Sequence, residues 1–282
     1  MPLKDMLLHI NSYPDPTPTE AIDQAVRFAA AIGGTISALA VEIDIKPISN
    51  RVADYVIGLS GLARDEERKS AAACKAGLGD FTSRAQEAGV FGAVVTRRAD
   101  LYLVGETVAE LARTRDLCIV PLANPSDGQR SVAEAVIFGS GRSVLLFRAG
   151  TADLPTLELG TVVLAWDGSR AAARAMADAL PMLSKARDVV VLSVTNEKPA
   201  TFAGVGTDAV RHLGAHGVNA RASETDAAGQ HIGAVLERYV AENDADLLVM
   251  GAYGRSRLRE FVLGGATEHM LHNPIVPLML SH

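Results

Sequence analysis

Short apolar runs alternate along the chain with longer segments in which apolar positions recur at helical spacing. This pattern is typical of β-strands that alternate with amphipathic helices, and it predicts βαβ units around a mostly parallel sheet. The strand-like runs of the first half are residues 6–10, 35–42, 90–96, 116–121 and 143–147. Those of the second half are residues 162–166, 189–195, 218–223, 246–250 and 275–280.

Capping residues mark the expected ends of several helices. Thr17 is expected to cap the first helix, with Pro18 in the first turn and Glu20 closing a capping box. The glycine pair 33–34 is expected to end that helix. Ser169 is expected to cap the helix that follows the first strand of the second half.

The cycle of strands and helices restarts after residues 149–155, a polar and turn-rich stretch. We therefore predict two domains in tandem, at residues 1–150 and 151–282. The opening strands of the halves are farther apart than the closing strands, so the first half is expected to hold extra residues within 43–75. The charged run 64–69 in that segment is interpreted as the solvated face of a helix rather than as a partner-binding surface.

Composition narrows the class of protein. With 282 residues, 48% of them hydrophobic, the chain can bury the cores of two domains. A net charge of -6 argues against nucleic acid as a partner, and the chain lacks the apolar stretch of a signal peptide or membrane span. Cys74 and Cys118 belong to no metal-binding motif and are expected to be small buried residues in a reducing compartment. These features predict a soluble cytoplasmic protein with no membrane contact.

The strongest local motif is a glycine-rich loop that follows the strand at 246–250. Gly251 and Gly254 would let backbone N–H groups approach a ligand, and a helix starting near Gly264 would direct its N-terminus at a phosphate. Arg255 adds positive charge to this loop in an otherwise acidic chain. Glycines also occur in turns that bind nothing, so a purely structural loop is the alternative.

Spacing gives the motif a more specific interpretation. The loop has the pattern G-x2-G-x9-G followed by small residues, the strand at 162–166 leads into Asp167, and residues 273–280 form a closing strand. Together these features resemble the ATP-binding signature of the universal stress protein family. The resemblance implies two doubly wound, mostly parallel, five-stranded α/β domains of the adenine-nucleotide alpha hydrolase-like type in tandem. It also implies a nucleotide-binding role in the stress response.

The resemblance assigns each motif position a role toward ATP or a related adenine nucleotide, with Mg²⁺ as an optional companion. Asp167 would meet the ribose or adenine, Ala165 and Val194 would line the base pocket, and Met250 would lie beside it. The phosphates would be surrounded by Gly251, Gly254, Arg255, Gly264, Gly265, Ala266 and Thr267.

One position departs from the family pattern. Gly265 stands where nucleotide-binding relatives usually have Ser or Thr, so one hydroxyl donor to phosphate is missing. Thr267 can supply a hydroxyl two residues farther along.

The first half departs much further from the pattern. Asn11 takes the place of Asp167, Pro121 the place of Gly251, and Asn124 the place of Gly254. Pro121 also removes a backbone donor where a phosphate needs one. The segment 139–141 is either a remnant of the motif's third glycine or a helix C-cap, and the C-cap is favoured. We expect no nucleotide site in this half.

Few features of the sequence point to catalysis. His212 with His216, and His269 with His272, have a spacing that could bind metal, but a surface or interface role is favoured because no further ligand accompanies either pair. The leading hypothesis is a nucleotide-binding module that acts through ligand-dependent conformation or assembly. The alternatives are a slow ATP-hydrolysing enzyme and a nucleotide-free interaction scaffold.

The final strands of the two halves predict how the halves associate. Residues 143–147 and 276–280 are apolar sheet-edge segments, similar to the strands by which single-domain family members dimerise. We expect them to pair within one chain as an intramolecular pseudo-dimer; pairing between two chains, in a homodimer, is the alternative.

Overall fold

The computed structural model describes residues 3–46, 59–122, 127–155, 159–196, 204–252, 265–272 and 274–282. The strands of the first half are β1 (Asp5–Ile10), β2 (Thr35–Asp44), β3 (Phe91–Asp100), β4 (Leu117–Pro121) and β5 (Ser143–Phe147). Those of the second half are β6 (Leu159–Ala165), β7 (Ala186–Thr195), β8 (Ala220–Asp226), β9 (Leu247–Gly251) and β10 (Leu278–Ser281). Each strand predicted from the apolar runs is present.

Helices connect the parallel strands. The described helices are α1 (Thr19–Ile32), α2 (Leu59–Glu87), α3 (Val104–Ala112), α4 (Asp127–Gly139), α5 (Arg170–Leu183), α6 (Thr207–Ala215), α7 (Ile232–Glu242) and α8 (Gly265–His272). A short 3₁₀ turn, Leu101–Leu103, precedes α3. Helix α2 has 29 residues and overlaps the segment in which extra residues are expected. Its exposed face carries the ion pairs Arg68–Asp65 and Lys69–Glu66, as the charged run predicts.

The start of α1 differs from the prediction. The helix begins at Thr19, Pro18 lies just outside it in an extended conformation, and no side chain caps it. The hydroxyl of Thr17 instead accepts a hydrogen bond from the backbone N–H of Asn11, at 2.8 Å, and is therefore occupied by the preceding loop. The predicted end is confirmed, since Gly33 adopts the left-handed conformation with φ +83°. Ser169 caps α5 as predicted, because its hydroxyl accepts the N–H of Ala172 at 3.1 Å.

The ten strands form one continuous sheet in the order β3-β2-β1-β4-β5-β10-β9-β6-β7-β8. Within each half the paired strands are parallel, and the chain crosses from the third strand past the second and the first to the fourth. The expected fold class, two doubly wound and mostly parallel five-stranded α/β units in tandem, is confirmed.

The halves join through their final strands. β5 pairs with β10 in antiparallel orientation, with Leu145 opposite Met279 and Val144 opposite Leu280. Both strands are buried along their whole length. The expected pairing of the two final strands within one chain is therefore observed.

Helices cover both faces of this sheet. Buried residues of α1, α2, α5 and α6 pack on one face, and those of α3, α4, α7 and α8 pack on the other. Lys185, which follows α5, donates to the last carbonyls of α1, those of Ala31 at 2.9 Å and Ile32 at 3.1 Å, and so links the halves on the first face. We propose that the boundary of the two domains lies in the connection between β5 and β6, as the sequence predicts.

Both cysteines are buried free thiols, as expected. Burial raises the pKa of the Cys118 thiol to about 12 and also raises the pKa of Cys74, so neither has the reactive thiolate character of a nucleophile. None of the helices in the described part of the chain is long and apolar enough to cross a membrane.

Candidate functional site

The carboxyl ends of three neighbouring strands, β7, β6 and β9, form the edge at which the predicted base-pocket residues meet. Ala165 of β6 is in register with Met250 of β9 on one side and with Leu192 of β7 on the other. Val194 lies just beyond Leu192 and, like Ala165, packs against the apolar cluster that contains Met250. The structure thus brings Ala165, Val194 and Met250 together at the edge where doubly wound sheets bind ligands.

Asp167 lies immediately beyond β6 and is exposed. Its Oδ1 accepts the backbone N–H of Ser169 at 2.9 Å, and the intervening Gly168 has φ +70°. The turn holds the carboxylate beside the strand end and positions Ser169 to cap α5. The local sequence Asp-Gly-Ser therefore fixes an acidic group at the candidate site.

Gly251 ends β9, and its lack of a side chain has a structural cause. A Cβ at this position would lie 2.5 Å from the carbonyl carbon of Ala171 and 2.5 Å from the backbone nitrogen of Ala172, both in the first turn of α5. The strand end therefore packs directly on the helix backbone. This contact explains the glycine without a ligand, a reason that the sequence did not reveal.

Helix α8 begins at Gly265, which is exposed. A Cβ here would lie 2.3 Å from Nε2 of His231, the residue that precedes α7. Ala266 is half-buried, and Thr267 is only 3% exposed. The predicted phosphate-binding residues Gly254, Arg255 and Gly264 lie outside the described residues.

At the described corresponding positions of the first half, the residues are engaged within that half. The side-chain amide of Asn11 donates to the carbonyls of Tyr13 at 2.9 Å and Asp15 at 2.7 Å, so it is used by the loop that follows β1. Pro121 ends β4 in register with Phe147 of β5. Asn124 lies outside the described residues, and α4 ends at Gly139, in agreement with the favoured C-cap.

His9 is the first-half counterpart of Ala165 by the same sequence offset that relates Asn11 to Asp167. It is 2% exposed in the middle of the sheet, and neither ring nitrogen has a hydrogen-bond partner among the described residues. Burial lowers the pKa of His9 to about 4; the Leu39 backbone acts in the opposite direction without a hydrogen bond of normal geometry. A neutral imidazole therefore fills the position at which the second half has only a methyl group.

Sequence reasoning missed several polar residues along the second-half edge. Trp166 follows β6, and its indole N–H donates to the carbonyl of Val205 at 3.0 Å. Asn196, with φ +59°, donates to Asp226 at 2.8 Å and links the ends of β7 and β8. The backbone N–H of Ala228 makes the largest contribution to lowering the pKa of Asp226, and the side-chain amide of Asn196 adds to it. The position of the chain's single Trp, directly after a strand, was the available signal.

The predicted histidine pairs lie away from this edge or within helix packing. The exposed rings of His212 in α6 and of His216, which follows α6, stack edge to face at 4.8 Å. His269 of α8 pairs with Glu237 of α7 at 2.7 Å. The described residues contain no group of three or more His, Cys, Asp or Glu placed to hold a metal ion.

An open groove of about 640 Å³ lies in the first half, between α2 and the ends of β2 and β3. Arg98, one of its cations, pairs with Asp44 at 2.8 Å and with Glu67 at 3.5 Å. This arginine is already matched by carboxylates, so it gives the groove no clear preference for an anion. The groove contains none of the predicted site residues.

The doubly wound fold, with polar and small residues at one carboxyl edge, defines a class of α/β proteins that bind ligands at strand ends. Residues 158–282 match the model of the universal stress protein family. Universal stress protein Slr1230 of Synechocystis sp. is 30% identical over 121 residues, which cover 42% of this chain and 41% of that protein. Residues 158–282 are therefore similar to a universal stress protein domain, as the motif predicts, and the match spans about two fifths of the curated relative.

Solved structures extend the likeness of fold to the whole chain. A universal stress protein from Archaeoglobus fulgidus is 16% identical, covers 98% of this chain and 95% of its own, and superposes with a TM-score of 0.67. A universal stress protein in complex with cAMP is 18% identical and covers 51% of this chain and 98% of its own, with a TM-score of 0.33. That likeness is too low to assign its ligand to this protein.

Proposed function

We propose that the second half binds ATP or a related adenine nucleotide at the carboxyl edge of β7, β6 and β9. Ala165 and Val194 line the adenine pocket beside Met250, and Asp167 accepts hydrogen bonds from the ribose or adenine. The phosphates lie between the strand end and the start of α8, and their contacts come from Gly251, Gly254, Arg255, Gly264, Gly265, Ala266 and Thr267.

The observation that carries this proposal is the contrast between the two halves at equivalent strand ends. In the second half, Ala165 leaves the edge of β6 uncovered by a large side chain and Asp167 projects into solvent. In the first half, His9 fills the equivalent position and the Asn11 amide bonds its own loop. The asymmetry supports one site in each chain.

In this proposal the bound nucleotide changes the conformational equilibrium of the protein and is not turned over. A ligand that binds one conformer more tightly shifts the population toward it by the difference in affinity. We infer that the cytoplasmic protein uses this effect to change its conformation or assembly during stress adaptation.

Binding can be tested by native mass spectrometry for a co-purifying nucleotide and by calorimetry with ATP. Asp167→Ala should weaken ATP binding about tenfold, the usual effect of removing a hydrogen bond to a charged group. Asn11→Ala, at the equivalent position of the first half, is the matched control and should leave the affinity unchanged. Equal losses from both variants would refute a single site in the second half.

Hydrolysis should be slow or absent even at saturating ATP and Mg²⁺. Arg255 and the loop backbone stabilise the bound ground state about as well as a transition state, so they give binding without much acceleration. Phosphate release should stay below roughly 1 per second, the lower end of ordinary enzyme rates. A faster rate that Gly254→Val abolishes would establish the alternative, an ATP-hydrolysing enzyme.

One observation favours the second candidate, a nucleotide-free scaffold. Both described glycines of the motif have packing reasons, since Gly251 lies against the α5 backbone and Gly265 against His231. Full native stability with no measurable affinity for ATP, ADP or AMP would support the scaffold and refute the nucleotide site.

A further inference from the structure

The starts of α7 and α8 are packed closely together at the proposed phosphate end of the site. A Cβ at Gly233, in the first turn of α7, would lie 2.4 Å from the Cβ of His269 in α8. This close approach fixes the position of one helix start relative to the other. As a result, the ring of His231 lies where a side chain at position 265 would project, 2.3 Å from the Cβ site.

His231 has its two ring nitrogens in different roles. Nδ1 accepts the backbone N–H of Gly233 at 3.3 Å, so the side chain caps α7. A neutral imidazole whose Nδ1 accepts a hydrogen bond carries its proton on Nε2. The nitrogen that lies against Gly265 is therefore an N–H donor, and His231 is exposed to solvent and ligands.

The neighbouring His269 has its Nε2 engaged elsewhere. The rings of His231 and His269 are 6.0 Å apart, but Nε2 of His269 is paired with Glu237 at 2.7 Å. That contact directs the polar edge of His269 toward a carboxylate of α7. The ring nitrogen that lies against Gly265 at the start of α8 is Nε2 of His231.

We propose that His231 donates its Nε2–H to a phosphate oxygen of the nucleotide at the start of α8. The inference rests on the proposed function, because it needs a phosphate at that end of the site. It accounts for Gly265, since a side chain there would displace the imidazole, and the histidine supplies the donor that a hydroxyl at 265 would give. The N-terminal N–H groups and dipole of α8 favour the same anion.

His231→Asn tests the role in binding without removing the helix cap. Asparagine is a good N-cap residue and can still accept the Gly233 N–H, but it is too short to place a donor against Gly265. We expect ATP affinity, measured by calorimetry, to fall about tenfold or more while adenosine affinity and the melting temperature stay unchanged. His216→Asn, at the exposed histidine that follows α6, is the matched control and should change neither affinity.

The two positions should also depend on each other. Gly265→Ser places a hydroxyl at the start of α8 and moves the flexible end of His231 aside, so His231→Asn should have little further effect on ATP affinity in that background. Such coupling is a sign that two groups serve one contact.

Equal loss of ATP and adenosine affinity in His231→Asn would overturn the phosphate contact and indicate a structural role. Unchanged ATP affinity in that variant would also overturn it, while leaving the proposed function intact. If the unaltered protein binds no ATP, the proposed function fails and the role of His231 fails with it.

Discussion

The buried His9 should make the stability of the protein depend on pH. Its imidazole is 2% exposed and has no hydrogen-bond partner among the described residues, so the folded protein holds it neutral. Burial lowers the pKa of His9 from 6.5 to about 4. Above pH 6.5 the ring is neutral in both the folded and the unfolded chain, and His9 contributes no pH dependence there.

Between the pKa of about 4 in the folded protein and the pKa of 6.5 in the unfolded chain, only the unfolded chain binds a proton at His9. The free energy of unfolding therefore falls as the pH is lowered through this window, and the loss is complete near pH 4, where the folded state also binds a proton. One pKa unit corresponds to about 1.4 kcal/mol, so the shift corresponds to a loss of about 3 kcal/mol. This is a large fraction of the roughly 5–15 kcal/mol that stabilises an ordinary domain.

Urea unfolding of the native protein and of His9→Leu, followed by circular dichroism from pH 7.5 to 4, isolates this contribution. Leucine keeps a side chain of similar size and cannot titrate, so the stability difference between the two proteins should change by about 3 kcal/mol across the range. Hydrogen exchange of the β1 amides should locate the change in the first half. Parallel stability curves for the two proteins would refute this prediction, because they would show that His9 does not titrate with a lowered pKa in the folded protein.

Three predictions about local contacts can be tested by the same urea titration at neutral pH. Gly251→Ala should destabilise the second half by about 1–3 kcal/mol, because its Cβ would lie 2.5 Å from the Ala171 backbone. The control Gly79→Ala, a helical position with nothing within 4 Å, should instead stabilise by about 0.5–1 kcal/mol. Ser169→Ala should cost about 1 kcal/mol through loss of the α5 cap, and no change would contradict that cap. Lys185→Met should cost less than about 1 kcal/mol because the contact with α1 is exposed, and a larger loss would mean that this contact is essential to joining the halves.

The apolar runs predicted the central strands well because those strands are buried on both faces. The edge strands were harder to delimit: β3 was expected to end at residue 96 but continues to Asp100, and β8 was expected at 218–223 but extends to Asp226. Edge strands face solvent, so their outer positions are polar and lack the apolar signal. The last residues of β3 are held by contacts such as the ion pair of Arg98 with Asp44, which sequence spacing does not reveal.

The candidate site, too, could be predicted from the sequence only in part. Residues at strand ends, such as Ala165 and Met250, could be placed because strand order follows from the repeated βαβ pattern. The contact of Gly265 with His231 could not be predicted, since His231 precedes a different helix and meets Gly265 only through the packing of Gly233 on His269. Contacts between helices distant in sequence have no local pattern, and they decide whether a motif glycine serves a ligand or its neighbours.

The strand that ends at the proposed site is also connected to the other half of the molecule. Beyond Gly251, the N–H of Ala252 donates to the carbonyl of Ser281 in β10 at 2.7 Å, and the Ala252 carbonyl lies 3.1 Å from Nδ1 of His282. The His282 ring packs edge to face on Phe138 of α4 in the first half, at 5.3 Å. A displacement of Ala252 must therefore be accommodated by β10 and by Phe138, because packed neighbours transmit small shifts. The first half, whose own strand ends are closed, thus lies in physical contact with the end of the second half that the nucleotide is proposed to occupy.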